Sequence, residues 1–176
     1  MNRSASLSTK LTRIGAALLL VALASISLTL WVTWQLEGGA AAVNEAGRMR
    51  MQTWRLVSTV QSQSPHAEVQ ALVAAFDQSL LLLRKGDAQR PLFVPWDSDV
   101  DARFSQVENL WKLRRAQWLA QPPVTGVLTI GVAEEFVAAI DQFVLAIEQQ
   151  LSRLTAVLNL FQFVMMALAL VGAVVM

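Results

Sequence analysis

Three arginines within eight positions make residues 44–56, "NEAGRMRMQTWRL", the stretch whose chemistry is easiest to read. Arg48 has Glu45 three positions before it, which predicts an intrahelical ion pair. Arg50 and Arg55 have no acid three or four positions away, so the anion that balances them must come from elsewhere in the chain or from outside it. A guanidinium group binds a planar oxyanion through two parallel N–H donors, a geometry that lysine does not offer.

These arginines lie on a predicted helix with a heptad pattern, which is typical of a helix packed along a partner. Its seam is spaced alternately by three and four: Ala40, Val43, Gly47, Arg50, Trp54, Val57 and Gln61. In a parallel dimer about this seam, two copies of Arg50 would meet and repel each other, and a bound anion would relieve the repulsion. Two alternatives stay open. Arg50 and Arg55 point into water, or they pair with an acid of another helix, such as Glu108, Glu134 or Asp141.

Two apolar blocks flank this region. Residues 14–36 and 154–176 each run for 23 positions without a charge, and roughly 20 apolar residues suffice for a helix to cross a bilayer. We predict two transmembrane helices. Residues 1–13 carry three basic residues and no acid, which predicts a cytoplasmic N-terminus at a bacterial inner membrane. Residues 37–153 would then lie outside the membrane, in the periplasm.

A cleaved signal peptide is the alternative interpretation of the first block, because Ala40–Ala42 resembles a cleavage site. The block is longer than the apolar part of a typical signal peptide, which favours a membrane anchor. The second block ends at Met176 with no basic flank after it. We therefore expect the sequence to be the front part of a longer protein.

Residues 37–153 read as helices throughout, which predicts an all-α fold: an antiparallel four-helix bundle between two transmembrane helices. We expect a second helix over about 67–83, a third with Ser98 as its N-cap, and a fourth from about Val132 into the second apolar block. "GG" at Gly38 and Gly39 is expected to weaken the first helix locally. The predicted core stripes are Leu72, Phe76, Leu80 and Leu83; Phe104, Val107, Trp111 and Trp118; and Phe136, Ile140, Phe143, Ile147, Leu151 and Leu154.

Composition excludes several classes of function. The chain has no cysteine and one histidine, His66, which we place in a loop, so we expect neither a disulfide framework nor a metal site. Residues 37–153 hold 13 acidic and 11 basic residues, and this balance does not suit a nucleic acid partner. No nucleophile–base pair or phosphate loop is present. We expect neither enzymatic activity in this chain nor a cofactor.

The arginine stretch resembles a known motif, the periplasmic P-box of bacterial nitrate/nitrite sensor histidine kinases. That pattern is N-x-A-G-x-x-R-M-Q-x-aromatic-R-L, and the residues that match it are Asn44, Ala46, Gly47, Arg50, Met51, Gln52, Trp54, Arg55 and Leu56. "FVP", "ARFSQVENLW" and "IDQFVLAIEQQLSRL" also resemble that family. A related fold occurs in the N-terminal domain of type IV pili chemotaxis transducers, whose motif is similar to "AGRQRMLSQR" and shares Arg48.

The resemblance implies a parallel homodimer that holds nitrate, or nitrite, between two protomers. Arg50 would bind the anion, with backbone support near Gly47; Met51 and Trp54 would flank the pocket, and Arg55 would add positive potential. Binding would shift helices along the membrane normal. The kinase that addresses a response regulator would lie beyond Met176. Two other interpretations remain open: a pili-type chemoreceptor sensor for another ligand, and a dimerising membrane protein without a ligand.

Overall fold

The computed structural model describes residues 7–87, 89, 91–120 and 130–175, and these fold as four helices. They are α1 (Leu7–Gln61), α2 (His66–Lys85), α3 (Ser98–Trp118) and α4 (Ile130–Val175). None of the described residues belongs to a β-strand; a single isolated bridge joins Asp87 to Leu92. The all-α prediction is confirmed. "QPPVTG", predicted to end the third helix, lies outside the described residues.

The chain divides into two compact units. One comprises Gln35–Ser152, and the other comprises Met1–Trp34 with Arg153–Met176. Neither α1, with 55 residues, nor α4, with 46, contains a proline, so nothing in their sequences breaks the backbone hydrogen bonding. Each of these two helices contributes to both units.

The second unit contains the apolar parts of α1 and α4. Both helices are long enough and apolar enough to cross a membrane, and none of the most apolar window of either helix is buried. A core helix of comparable hydropathy would be mostly covered by other side chains. Leu20 and Leu30 on α1, like Leu160 and Leu168 on α4, are at least 60% exposed. Such a surface suits lipid better than water.

The shorter helices begin and end where local chemistry requires. Pro65 precedes α2 in an extended conformation, and Gly86 ends it with φ near +75°, a conformation that favours glycine. The Asp97 carboxylate caps α3 by accepting hydrogen bonds from the backbone N–H groups of Asp99 and Val100. The predicted cap, Ser98, is therefore wrong by one residue. His66, predicted in a loop, is the first residue of α2.

Within Gln35–Ser152 the four helices enclose one aromatic core. Phe76 of α2 stacks on Trp111 of α3 with ring centroids 4.0 Å apart, and lies 5.3 Å from Phe136 of α4. Phe104 of α3 lies 5.1 Å from Phe143 of α4. The stripes predicted on α2 and α3 are buried, as are four of the six residues predicted on α4; Leu151 and Leu154 are partly exposed. Periodicity therefore identified the main core stripes of α2, α3 and α4, whereas the core residues of α1 were not among those predicted.

Gly38 and Gly39 act as packing sites, contrary to the expectation that they weaken α1. The helix continues through both glycines, and both are buried. A Cβ at Gly38 would overlap the Phe93 ring from the α2–α3 connection, and one at Gly39 would lie 2.6 Å from the Leu151 methyl groups of α4. Glycine lets these side chains approach the α1 backbone closely, and this contact offsets its low helix propensity.

Candidate functional site

One face of α1 lies outside the core of its own bundle and carries the residues of the predicted site. We call the five residues Gly47, Arg50, Met51, Trp54 and Arg55 the arginine face; their spacing of three, one, three and one places them on one side of a helix. Other sides of α1 are buried in the core through Ala42, Ala46, Met49 and Leu56, and Val57, seven positions after Arg50 and so close to it on the helix surface, is buried as well. The fold therefore brings the five predicted residues together on one surface.

The arginine face exposes two large apolar side chains beside its two cations. Met51 is 54% exposed and Trp54 is 41% exposed. Gly47 is half-buried, and a Cβ there would have only the Arg50 Nη2 near it, at the ordinary contact distance of 3.6 Å. Unlike Gly38, Gly47 is thus not required by packing against the described residues. The missing Cβ leaves the α1 backbone accessible from outside the bundle at this position.

Arg50 pairs with an acid on another helix. Its Nη1 donates a hydrogen bond to Oδ1 of Asp141 on α4 at 2.7 Å. The side chains are 43% and 48% exposed, respectively, so water screens the pair and it contributes at most about 1 kcal/mol to stability. Of the alternatives left open by the sequence, pairing with Asp141 is the one that this chain adopts.

The other two arginines of the motif differ from Arg50 in their surroundings. Arg48 forms the predicted ion pair with Glu45, with Nη2 and Oε1 2.7 Å apart, and also donates to Ser79 Oγ on α2 at 3.4 Å. Arg55 is exposed and has no ion pair or hydrogen bond to any of the residues that the structure describes. Arg48 therefore joins α1 to α2, and Arg55 supplies positive charge at the surface.

A small polar cluster between α1 and α2 was not predicted. Glu45, Gln52 and Ser79 are all at least 94% buried, and Ser79 Oγ donates to Oε1 of Gln52 at 3.5 Å. Glu45 and Gln52 are seven residues apart on α1, which places them on one face, whereas Ser79 comes from α2. The spacing was visible in the sequence, but the partner helix was not. This cluster secures the back of the helix whose front is the arginine face.

Two further arginines hold α2 and α3 together. Arg84 donates to Asp101 at 2.7 Å and to Glu108 at 3.2 Å, and its guanidinium lies 4.9 Å from the Trp96 ring. The hydrogen bond to Asp101 is the largest cause of its raised pKa. The pKa of Arg84 is higher in the folded chain than the already high value in the unfolded chain. Its contribution to the free energy of unfolding is therefore present throughout the neutral pH range and is lost only in strong base.

Arg115 donates hydrogen bonds to the Asp77 carboxylate from both Nε and Nη2, which lie 3.0 and 2.8 Å from Oδ2. The hydrogen bond to Asp77 raises the pKa of Arg115. The indole of Trp111 donates to the same carboxylate at 2.7 Å. Arg84 and Arg115, like Arg50, are therefore paired with acids of their own bundle, and their pairs are exposed to a similar extent. Arg50 differs from them in having, among the described residues, a single acid and a single hydrogen bond to it.

The surface also has an open groove of about 400 Å³ along α3. It is lined by Ala102, Ser105, Gln106, Asn109, Leu110 and Leu113. These residues supply amide and hydroxyl groups but no charge, so the groove does not suit an anion. Among the described residues there is also no group of three His, Cys, Asp or Glu side chains arranged to hold a metal ion.

The fold defines an architecture: a helical bundle continuous in sequence with two apolar helices long enough to cross a membrane. Comparison with protein families matches residues 31–129 to PilJ, the N-terminal domain of type IV pili methyl-accepting chemotaxis transducers. The match covers more than half of the chain and includes the arginine face. The chain belongs to this family and is a sensor domain of the chemotaxis-transducer type, with a role in signal transduction.

A search of curated proteins found no match to the chain. The family assignment confirms the relation that the sequence motif indicated, since the related fold of the chemotaxis transducers is the one identified. It does not name a ligand. The roles of Gly47, Arg50, Met51, Trp54 and Arg55 in binding nitrate or nitrite stay predictions.

Proposed function

We propose that the chain is the membrane-anchored sensor module of a signalling protein and that its arginine face binds nitrate, or nitrite more weakly, between two copies of the chain. Arg50 carries the proposal. It lies half-exposed on a face that the bundle leaves uncovered, and its only partner among the described residues is a solvent-screened carboxylate. A guanidinium in that position retains N–H donors for an incoming oxyanion.

The proposed partner is a second copy, arranged parallel about α1. Met51 and Trp54 expose apolar surface that a homodimer would bury. Gly47, with no Cβ, would let the two α1 backbones come close at the level of Arg50. Val57 of the predicted seam is 4% exposed because it packs into its own bundle, so the contact is expected to run along the more exposed residues Ala40, Val43, Gly47, Arg50, Trp54 and Gln61.

Electrostatics favour an anion in such a dimer. Two Arg50 side chains brought to a two-fold axis lose hydration and repel each other, and Arg55 from each copy adds further positive charge. Nitrate is planar and singly charged, so one ion can accept hydrogen bonds from two guanidinium groups on opposite sides. One bound ion would offset both the repulsion between the two Arg50 side chains and their loss of hydration. Anion binding and dimerisation would therefore be coupled.

The output we propose is a small displacement of α1 and α4 passed through an inner membrane, with the N-terminus in the cytoplasm and residues 37–153 in the periplasm. This chain would be the non-enzymatic front part of a two-component histidine kinase that addresses a response regulator. The family match favours a second candidate, a chemoreceptor sensor for another ligand. A methyl-accepting coiled coil downstream, in place of a kinase, would select this second candidate.

Isothermal titration calorimetry of nitrate into the detergent-solubilised chain tests the proposal, with light scattering to measure the oligomeric state. We expect saturable heat at one anion per two chains, and we expect Arg50→Ala to abolish it. Arg103→Ala is the matched control, because Arg103 forms an exposed pair with Asp99 on α3, away from the arginine face. This control should bind nitrate as the parent chain does.

Three other results would contradict the proposal. Binding retained in Arg50→Ala would contradict the assignment of the site, and one anion per single chain would contradict its location at a dimer interface. If the dimer is intact and neither nitrate nor nitrite produces heat, the ligand proposal fails and the chemoreceptor for another ligand becomes the better interpretation.

A further inference from the structure

We infer that Asp141 is a built-in competitor for the anion site, and that an arriving oxyanion exchanges with its carboxylate on Arg50. This inference rests on the proposed function and adds a residue to it that lies on another helix. Asp141 Oδ1 accepts a hydrogen bond from Arg50 Nη1 at 2.7 Å. A carboxylate and a nitrate ion present similar planar oxygen pairs, so the side chain occupies a position that suits the ligand.

The geometry of the guanidinium explains why both anions compete for it. Nη2 of Arg50 faces the gap at Gly47, 3.6 Å from the position that a Cβ would take, while Nη1 is bonded to Asp141. An oxyanion that takes the end-on fork, with one oxygen on Nη1 and one on Nη2, therefore shares Nη1 with Asp141 and competes with its carboxylate for that group. An anion that approached without displacing it would still be repelled by its charge.

The exposure of the pair makes this exchange easy. Both side chains are nearly half exposed, and ion pairs of this kind contribute little net stability. The released Asp141 can be hydrated at once because it already lies at the surface. Replacing this contact by a contact to an oxyanion therefore costs the chain little stability.

The exchange would also change how two helices are joined. Arg50 lies on α1 and Asp141 on α4, and their ion pair is a direct polar link between these helices inside the unit Gln35–Ser152. Both helices continue in sequence into the apolar segments. Ligand binding at Arg50 would therefore remove an α1–α4 link, so that Asp141 determines both affinity and the coupling of the site to α4.

The test is nitrate calorimetry on the full chain with Asp141→Asn, beside a matched control. Glu148→Gln removes the same charge from an exposed acid two helical turns further along the same face of α4. We expect Asp141→Asn to bind nitrate roughly fivefold more tightly than the parent chain, because its internal competitor is gone. Glu148→Gln should change the affinity less than about twofold, since its charge is screened at that distance.

A second measurement follows the distance between α1 and α4, which the Arg50–Asp141 ion pair links. The chain contains no cysteine, so spin labels can be attached at Ser58→Cys on α1 and Ala138→Cys on α4, both exposed positions, with unlabelled chain in excess. We expect nitrate to broaden or shift the α1–α4 distance distribution of the parent chain. Asp141→Asn should show the altered distribution without nitrate.

The outcomes separate this inference from the proposed function. If the parent chain binds nitrate and Asp141→Asn binds it with the same affinity, the competitor role is wrong and the anion site stands. If neither chain binds nitrate, the site and its competitor both fall. Circular dichroism checks that Asp141→Asn is folded, and Asp141→Ala repeats the measurement with a side chain that cannot hydrogen-bond to Arg50.

Discussion

Replacing Gly38 by alanine tests the close approach between the α1 backbone and the Phe93 ring. Alanine has a helix propensity about 1 kcal/mol better than that of glycine, so on an open helix the change would stabilise the protein. Here the new Cβ overlaps the ring, and overpacking of this kind typically costs about 1–3 kcal/mol. We therefore expect a net loss of about 1 kcal/mol in the free energy of unfolding.

The assay is thermal unfolding of the detergent-solubilised chain, followed by tryptophan emission because the apolar helices keep their helical signal. For a bundle of this size, 1 kcal/mol corresponds to a fall in Tm of roughly 4 °C. The decisive control is the same change in a Phe93→Ala background. With the ring removed, Gly38→Ala should raise Tm relative to Phe93→Ala alone, because only the propensity gain remains. If Gly38→Ala alone raises the Tm of the parent chain, the close contact with the Phe93 ring is refuted.

Two further predictions concern α1 and the α2–α3 pair. Gly47→Ala should leave the bundle folded, since a Cβ has room there, but overpacking at the seam should weaken the proposed dimer by about 1–3 kcal/mol. Light scattering on dilution measures the dimer, and an unchanged dimer would contradict the close approach of the two α1 helices. Asp77→Ala should lower the free energy of unfolding by about 1–3 kcal/mol, because the Trp111 indole N–H is left without its acceptor in a buried site. Asp77→Asn, which keeps an acceptor oxygen, should lose clearly less, and equal losses in the two thermal melts would show that the charge matters more than the indole bond.

Local chemistry accounts for the elements that the sequence predicted well. Long runs without proline, apolar residues at steps of three and four, and a glycine after Lys85 indicate helices regardless of what surrounds them. The error at the start of α3 is a local one. Ser98 and Asp97 are both good N-caps by type, and the backbone at Asp97, extended at φ −136°, is what places its carboxylate on the two free N–H groups.

The glycine pair shows why composition alone misjudges an element. Gly38 and Gly39 lower helix propensity in any context, which led to the expectation of a weak α1. Their benefit comes from Phe93 and Leu151, which lie 55 and 112 positions away in the sequence. Contacts at that separation depend on how α1, α4 and the α2–α3 connection are aligned, and no pattern within α1 carries that information.

The four helices of the described residues, the two apolar segments and the arginine-rich helix face could all be predicted from the sequence, because each follows from the period, length or charge of a continuous stretch. Only the tertiary structure decided that this face remains outside its own core and that Asp141, among three candidate acids, is the partner of Arg50. The physical reason is register: a shift of one turn between α1 and α4, about 5.4 Å, would bring a different side chain opposite the guanidinium. Ion pairs reach only about 4 Å, so the choice of partner is made by the packing of the whole bundle.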